Sequence, residues 1–161
     1  MKAIKYYFLL AALLFTSASF SQSNKEDVDI IQASYGKTKK DLINEWMKLS
    51  EPKAAPFWTL YDEYEVERKA LGREKIRLIE DYAKNLKGLT DAKADELMTA
   101  AIENNLNMEK LYKKYYTKFS AVLGGVMAAK FMQMEVYLQT VVRNAVQEEI
   151  PFIHEMDETK K

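Results

Sequence analysis

From Phe57 to Leu86 a single line of residues returns at the period of a helix: Phe57, Leu60, Tyr61, Tyr64, Arg68, Leu71, Lys75, Leu78, Ile79, Tyr82 and Leu86. All fall within about 60° of one direction at 100° per residue, which is one apolar face of an amphipathic rod. Strands bury every second residue, so a stripe of this period does not fit a sheet. At 1.5 Å per residue a helix of this kind spans roughly 50 Å, longer than a compact domain of this size requires, and an elongated molecule is expected. Gly72 falls inside the rod, where it marks a bend, a close approach or a tolerated surface position.

Composition agrees with helix throughout. The 161 residues include only 5 Gly and 3 Pro, with 30% charged side chains, which argues against β-sandwiches, collagen and low-complexity disorder. The chain has no Cys and one His. Disulfides, thiolate nucleophiles, Cys-based zinc or iron-sulfur sites and a lipid-anchoring cysteine are thereby excluded.

The N-terminus reads as an export signal. Lys2 and Lys5 precede an unbroken apolar run from Tyr6 to Phe15, and Ser19 and Ser21 place small side chains at the minus 3 and minus 1 positions of a cleavage site before Gln22. A spanning helix needs about 20 apolar residues, roughly twice this run, so no stable membrane insertion of the mature chain is expected. Cleavage removes two lysines and no acid, leaving 22 basic and 24 acidic residues. These are interleaved, with no basic footprint for nucleic acid.

Residues 22–36 are polar with one short apolar patch and are expected as a mobile leader. A short helix follows over 37–48, with Leu42, Ile43, Trp46 and Met47 on one stripe. After the long rod, Gly88 supplies a stop, Thr90 an N-cap and Asp91 a first-turn acid. The next helix, over 91–121, carries Leu97, Met98, Ala101, Asn105, Met108, Leu111, Tyr112, Tyr115 and Phe119 on one side. So short a connection predicts antiparallel neighbours. Gly124 and Gly125 break this helix. A last one runs over 126–149, with Phe131, Glu135, Leu138, Val141, Val142 and Ala145 inward, until Pro151. The expected fold is therefore all-α: an elongated helical hairpin of two long antiparallel helices, with a short N-terminal helix and a fourth C-terminal helix over 37–153, then a polar tail at 154–161.

Two versions of one phrase open the two rods: Leu49-Ser50-Glu51-Pro52-Lys53-Ala54 and Leu89-Thr90-Asp91-Ala92-Lys93-Ala94. Locally each is a helix start, with Ser50 and Thr90 as caps and Leu49 and Leu89 as staples. The doubling resembles the repeated Leu-Thr-x-x-Gln phrase of the Spy/CpxP group of periplasmic proteins, with Lys53 and Lys93 where that group has Gln. The segments Phe57 to Tyr64, Asp81 to Ala83, Leu89 to Asp91, Lys130 to Glu135 and Ile150 to Ile153 are similar to small exported bacterial proteins distantly related to that group. The resemblance implies a curved helical hairpin, often dimeric, acting as an ATP-independent chaperone or envelope-stress sensor without catalytic residues.

The residues themselves offer little chemistry. His154 has no partner at metal spacing, neither His-Glu-x-x-His nor Glu-x-x-His occurs, and Gly124-Gly125 lacks the context of a phosphate loop. No catalytic residue, metal or cofactor is expected. Arg68, Lys75 and Glu135 interrupt apolar stripes and are candidate buried charges, either as an interhelical ion pair with snorkelling stems or as a polar centre for a ligand. Trp58, Tyr61, Tyr64, Tyr112, Tyr115 and Phe119, with Tyr82 and Tyr116, lie on the two rods. Most are expected in the core, yet two rods cannot enclose them all, and the remainder suits a client-binding cradle or a dimer surface. The leading expectation is a protein that binds unfolded clients or a specific envelope partner. The alternatives are a scaffold binding a folded partner or itself, and a carrier of a small ligand held between the helices.

Overall fold

The computed structural model describes residues 22–148 and 150, with side chains from residue 29 onward. The expected export signal (1–21) and polar tail (154–161), including His154, lie outside the described residues. The described chain forms α1 (Gln22–Tyr35), α2 (Lys39–Met47), α3 (Glu51–Asn85), a 3-10 turn (Leu86–Gly88), α4 (Asp91–Leu123) and α5 (Gly125–Glu148), with no strand among the described residues. No helix there is long and apolar enough to cross a membrane.

Residues 22–36, expected as a mobile leader without a sustained period, contain α1. Ile31 is buried in the core, and Ile30 and Tyr35 pack against it. The local sequence carries too few apolar positions to show a period, but the body of the protein supplies a surface that favours a helical face there. Thr38 then caps α2, its Oγ1 accepting from the Asp41 amide at 3.2 Å. Leu42, Ile43 and Met47 are buried, whereas Trp46 from the same expected stripe stays 54% exposed.

The doubled phrase does open both rods, but its two copies work differently. Thr90 Oγ1 accepts from the Lys93 amide at 3.3 Å. Ser50 has the extended backbone of an N-cap, and its carbonyl accepts from Lys53 and Ala54, while its hydroxyl makes no capping bond. Pro52 in the first turn of α3 gives up an amide that has no helical partner anyway. The two lysines also have separate tasks. Lys53 Nζ donates to the Leu123 carbonyl at the end of α4 (2.8 Å), and Lys93 Nζ to Asp81 (2.9 Å) and Glu96 (2.9 Å).

The long helices α3 and α4 lie side by side. Glu63 with Lys118 (3.5 Å), Glu67 with Lys114 (2.7 Å) and Asp81 with Lys93 (2.9 Å) pair so that numbers rise along one helix as they fall along the other. Gly124, at φ 87°, takes a conformation that disfavours any other residue and turns the chain directly into α5. α5 then packs across the stripes of both rods, burying Ala128, Phe131, Met134, Glu135, Leu138 and Val142. Gly72 is half-buried and lines a small cavity with Met108, Tyr112 and Val142.

The aromatic residues expected at a client or dimer surface form the core. Tyr61, Tyr64, Tyr112, Tyr115 and Phe119 are all buried, and Trp58 is half-buried with Lys40 over its ring at 4.9 Å. Two rods could not have enclosed them; α1, α2 and the first half of α5 do so. Phe57, Phe119 and Phe131 pack within 4.5 to 5.4 Å of one another, centroid to centroid. Such contacts contribute roughly 0.5–1.5 kcal/mol each beyond their buried area.

Packing thins toward the turn at residues 86–90. Along α4 the expected Leu97 is buried there, but Asn104 is buried in place of the expected Asn105, and Met98 and Asn105 are exposed. The two capping residues provide a stability test. Thr90→Ala should cost about 1 kcal/mol in urea-denaturation free energy through loss of its cap. Ser50→Ala should stay within a few tenths of a kcal/mol of wild type, since its hydroxyl makes no capping bond.

Candidate functional site

Two features of the described structure combine unusual chemistry with position: a buried charge cluster among α2, α3 and α5, and an open groove near the turn between α3 and α4.

The cluster centres on Glu135, which is 0% exposed. One of its oxygens, Oε1, accepts from Lys39 Nζ (2.7 Å), Tyr64 OH (2.8 Å) and Gln139 Nε2 (3.3 Å), with Arg68 Nε at 4.0 Å. The other, Oε2, is buried without a hydrogen-bond partner. Lys39 bridges to Glu65 at 2.8 Å, and Arg68 grips the same Glu65 through Nε (2.7 Å) and Nη2 (3.2 Å). Two carboxylates and two cations therefore balance in a space closed by tyrosine rings.

Burial disfavours the charge on Glu65, but Lys39 and Arg68 outweigh it and hold the carboxyl at about 2, against an ordinary 4.5. Burial, reinforced by Glu135, pushes the Tyr64 phenol far above its usual range, so it remains a hydrogen-bond donor. Burial likewise raises Tyr61 and Tyr112. Every charge here is engaged by another helix or turn, and the arrangement fixes register across three helices.

The sequence-predicted charges divide. Arg68 and Glu135 come together as expected, although Arg68's close partner is Glu65. Lys75 lies apart from them, half-buried on α3 and lining the groove. Lys39 and Glu65 were missed. Glu65 stands three residues before Arg68, a helical pairing distance that could have revealed it. Lys39 lies 96 residues from Glu135, and no local pattern connects them. Among the described residues, no group of three or more His, Cys, Asp or Glu side chains is placed to hold a metal ion.

The groove has a volume of about 760 Å³. Leu78, Ile79 and Tyr82 form its α3 wall, Leu97, Met98 and Ala101 its α4 wall, and Arg143, Gln147 and Ile150 flank it from the end of α5. Leu89 and Ala94 from the second copy of the doubled phrase close the end nearest the turn, whereas Leu49 packs at the main core. Met98 lines this groove, and from it a strip runs through Ile102 and Leu106 at successive turns of α4, 60%, 51% and 54% exposed. Volume and apolar lining are those of a ligand or segment-binding site. No family model matches this chain, and no curated protein or solved structure matches it.

Two measurements probe the cluster. Glu135→Leu should lower stability by about 3–5 kcal/mol, and combining it with Lys39→Met should cost less than the two single changes summed, by thermal or urea denaturation. For pH, the depressed Glu65 pKa stabilises the fold above its ordinary value near 4.5, and that stability is lost as pH falls through about 2. The thermal midpoint should therefore decline between pH 4.5 and 2, and Glu65→Gln should flatten that decline.

Proposed function

We propose that this is an exported, non-enzymatic protein that binds other proteins, built as an elongated hairpin of α3 and α4 of the kind the Spy/CpxP resemblance implies. It acts as an ATP-independent chaperone or envelope-stress binding protein. The observation that carries this reading is the uncovered apolar strip of Met98, Ile102 and Leu106 beside the open groove. Contiguous apolar surface on a folded protein is a mark of interaction, and an unbranched methionine adapts to varied partners. The client surface is thus assigned to the end of the hairpin near its turn, not to the aromatic face buried at the other end. Export is supported by the basic and apolar anatomy of residues 2–21. The one-turn spacing of the exposed residues also supports a second reading, in which the strip is the seam for one folded partner or a second copy.

The test is light scattering from a chemically denatured reporter enzyme diluted into buffer with the purified protein and no ATP. Suppression at near-stoichiometric amounts is expected. Met98→Glu, at an exposed position, should weaken it severalfold while moving the thermal midpoint by no more than a few degrees. No suppression across a wide excess of protein would overturn the chaperone reading in favour of the seam.

A further inference from the structure

The groove is an interrupted seat for a helix. Nearer the core, α5 lies on the stripes of α3 and α4, against Phe57, Tyr64, Tyr115 and Phe119. The same two stripes continue past Leu71 and Met108 to Leu78, Tyr82, Leu97 and Ala101, where they line the groove instead. α5 ends at Glu148, with its last turns flanking the opening. The shape left behind is therefore one that a helix already fills further along.

Charge is distributed lengthwise. Arg143 and Lys75, with Asn104 and Asn105, line both the groove and the small cavity next to the core, which places them at the inner end. Asp91 and Asp95 stand at the opposite end, by the turn. From Asn105 to Asp91 the α4 wall is about 20 Å long at 1.5 Å per residue, room for a helix of about 14 residues.

We propose that the groove binds an amphipathic helix of a partner protein, laid in the direction of α5, with acidic residues in its first turn beside Arg143 and basic residues in its last turn beside Asp91 and Asp95. That orientation agrees with the helix dipole, which favours acids at the N-terminus and bases at the C-terminus. Apolar side chains at i, i+3, i+4 and i+7 fill the space between Leu78, Tyr82, Leu97 and Met98, as in other helix-in-groove recognition. The inference rests on the protein-binding reading above and names the form and polarity of what is bound.

Two fluorescein-labelled peptides of about 14 residues test it. Both share one leucine stripe and one composition, the first with Glu in the first turn and Lys in the last, the second with these charges exchanged. Fluorescence anisotropy should show the first binding at least tenfold more tightly. Arg143→Glu should bring the ratio toward one, and Met98→Glu should abolish binding of both with the circular dichroism spectrum unchanged. Equal affinity of the two peptides for the wild-type protein, or binding indifferent to Met98→Glu, would overturn the proposal. So would a tenfold gain in affinity from Phe152→Asp alone, which assigns the groove to the chain's own C-terminal segment. An affinity that falls as protein concentration rises would also overturn it, assigning the groove to a second copy. Suppressed aggregation without peptide discrimination defeats this inference alone, whereas absence of both defeats the reading beneath it.

Discussion

A carboxylate at 0% exposure must be matched by donors or it destabilises the fold that buries it, and Glu135 is matched from three directions. Lys39 comes from α2, Tyr64 from α3 and Gln139 from its own helix, all onto one oxygen. Because Lys39 and Arg68 also share Glu65, sliding any one of the three helices by a turn would leave a buried charge alone. Apolar packing tolerates such slides far better. The cluster thereby selects one arrangement among several that the apolar stripes alone would accept, and the ring cluster around Phe57, Phe119 and Phe131 packs to fit it.

Much of this architecture was legible because helical period is a local property. The face of α3 emerged at Phe57, Tyr61, Tyr64, Arg68 and Leu78, though not at Glu65, and Thr90 as a cap with Gly124 as a break located α4 closely. What escaped is non-local. The helix at Gln22–Tyr35 forms against a surface made elsewhere in the chain, and its own sequence carries only a short stripe, Val28, Ile31 and Tyr35. The same cause misplaced the aromatic surface: the number of rings exceeded what two rods could cover, and the cover came from α1, α2 and α5 packed across them. Lys39 could not be found from spacing, since nothing near it in sequence marks it as different from Lys37 or Lys40.

The two ends of the α3–α4 pair are consequently unlike. At one end five helices converge, with aromatic rings in contact and charges paired. At the other α3 and α4 approach their turn with one flank uncovered, where Leu78, Ile79, Tyr82 and Leu97 stand beside the smaller or polar Ala94, Ala101 and Asn105. A stable base and an open end suit a molecule that must present apolar surface without losing its shape. The placement also explains how the doubled phrase can be similar in sequence yet different in use. Leu49 belongs to the packed end, and Leu89 to the open one.

The asymmetry extends to time. Amides near the turn between α3 and α4 lie outside the packed core, so they are expected to open by local fraying, and those beside Phe131 and Glu135 to exchange only on unfolding of the whole domain. One chain thus carries a slow end and a fast end. A partner bound at the open end, as proposed, would draw its ordering cost from a segment whose rigidity the fold does not require.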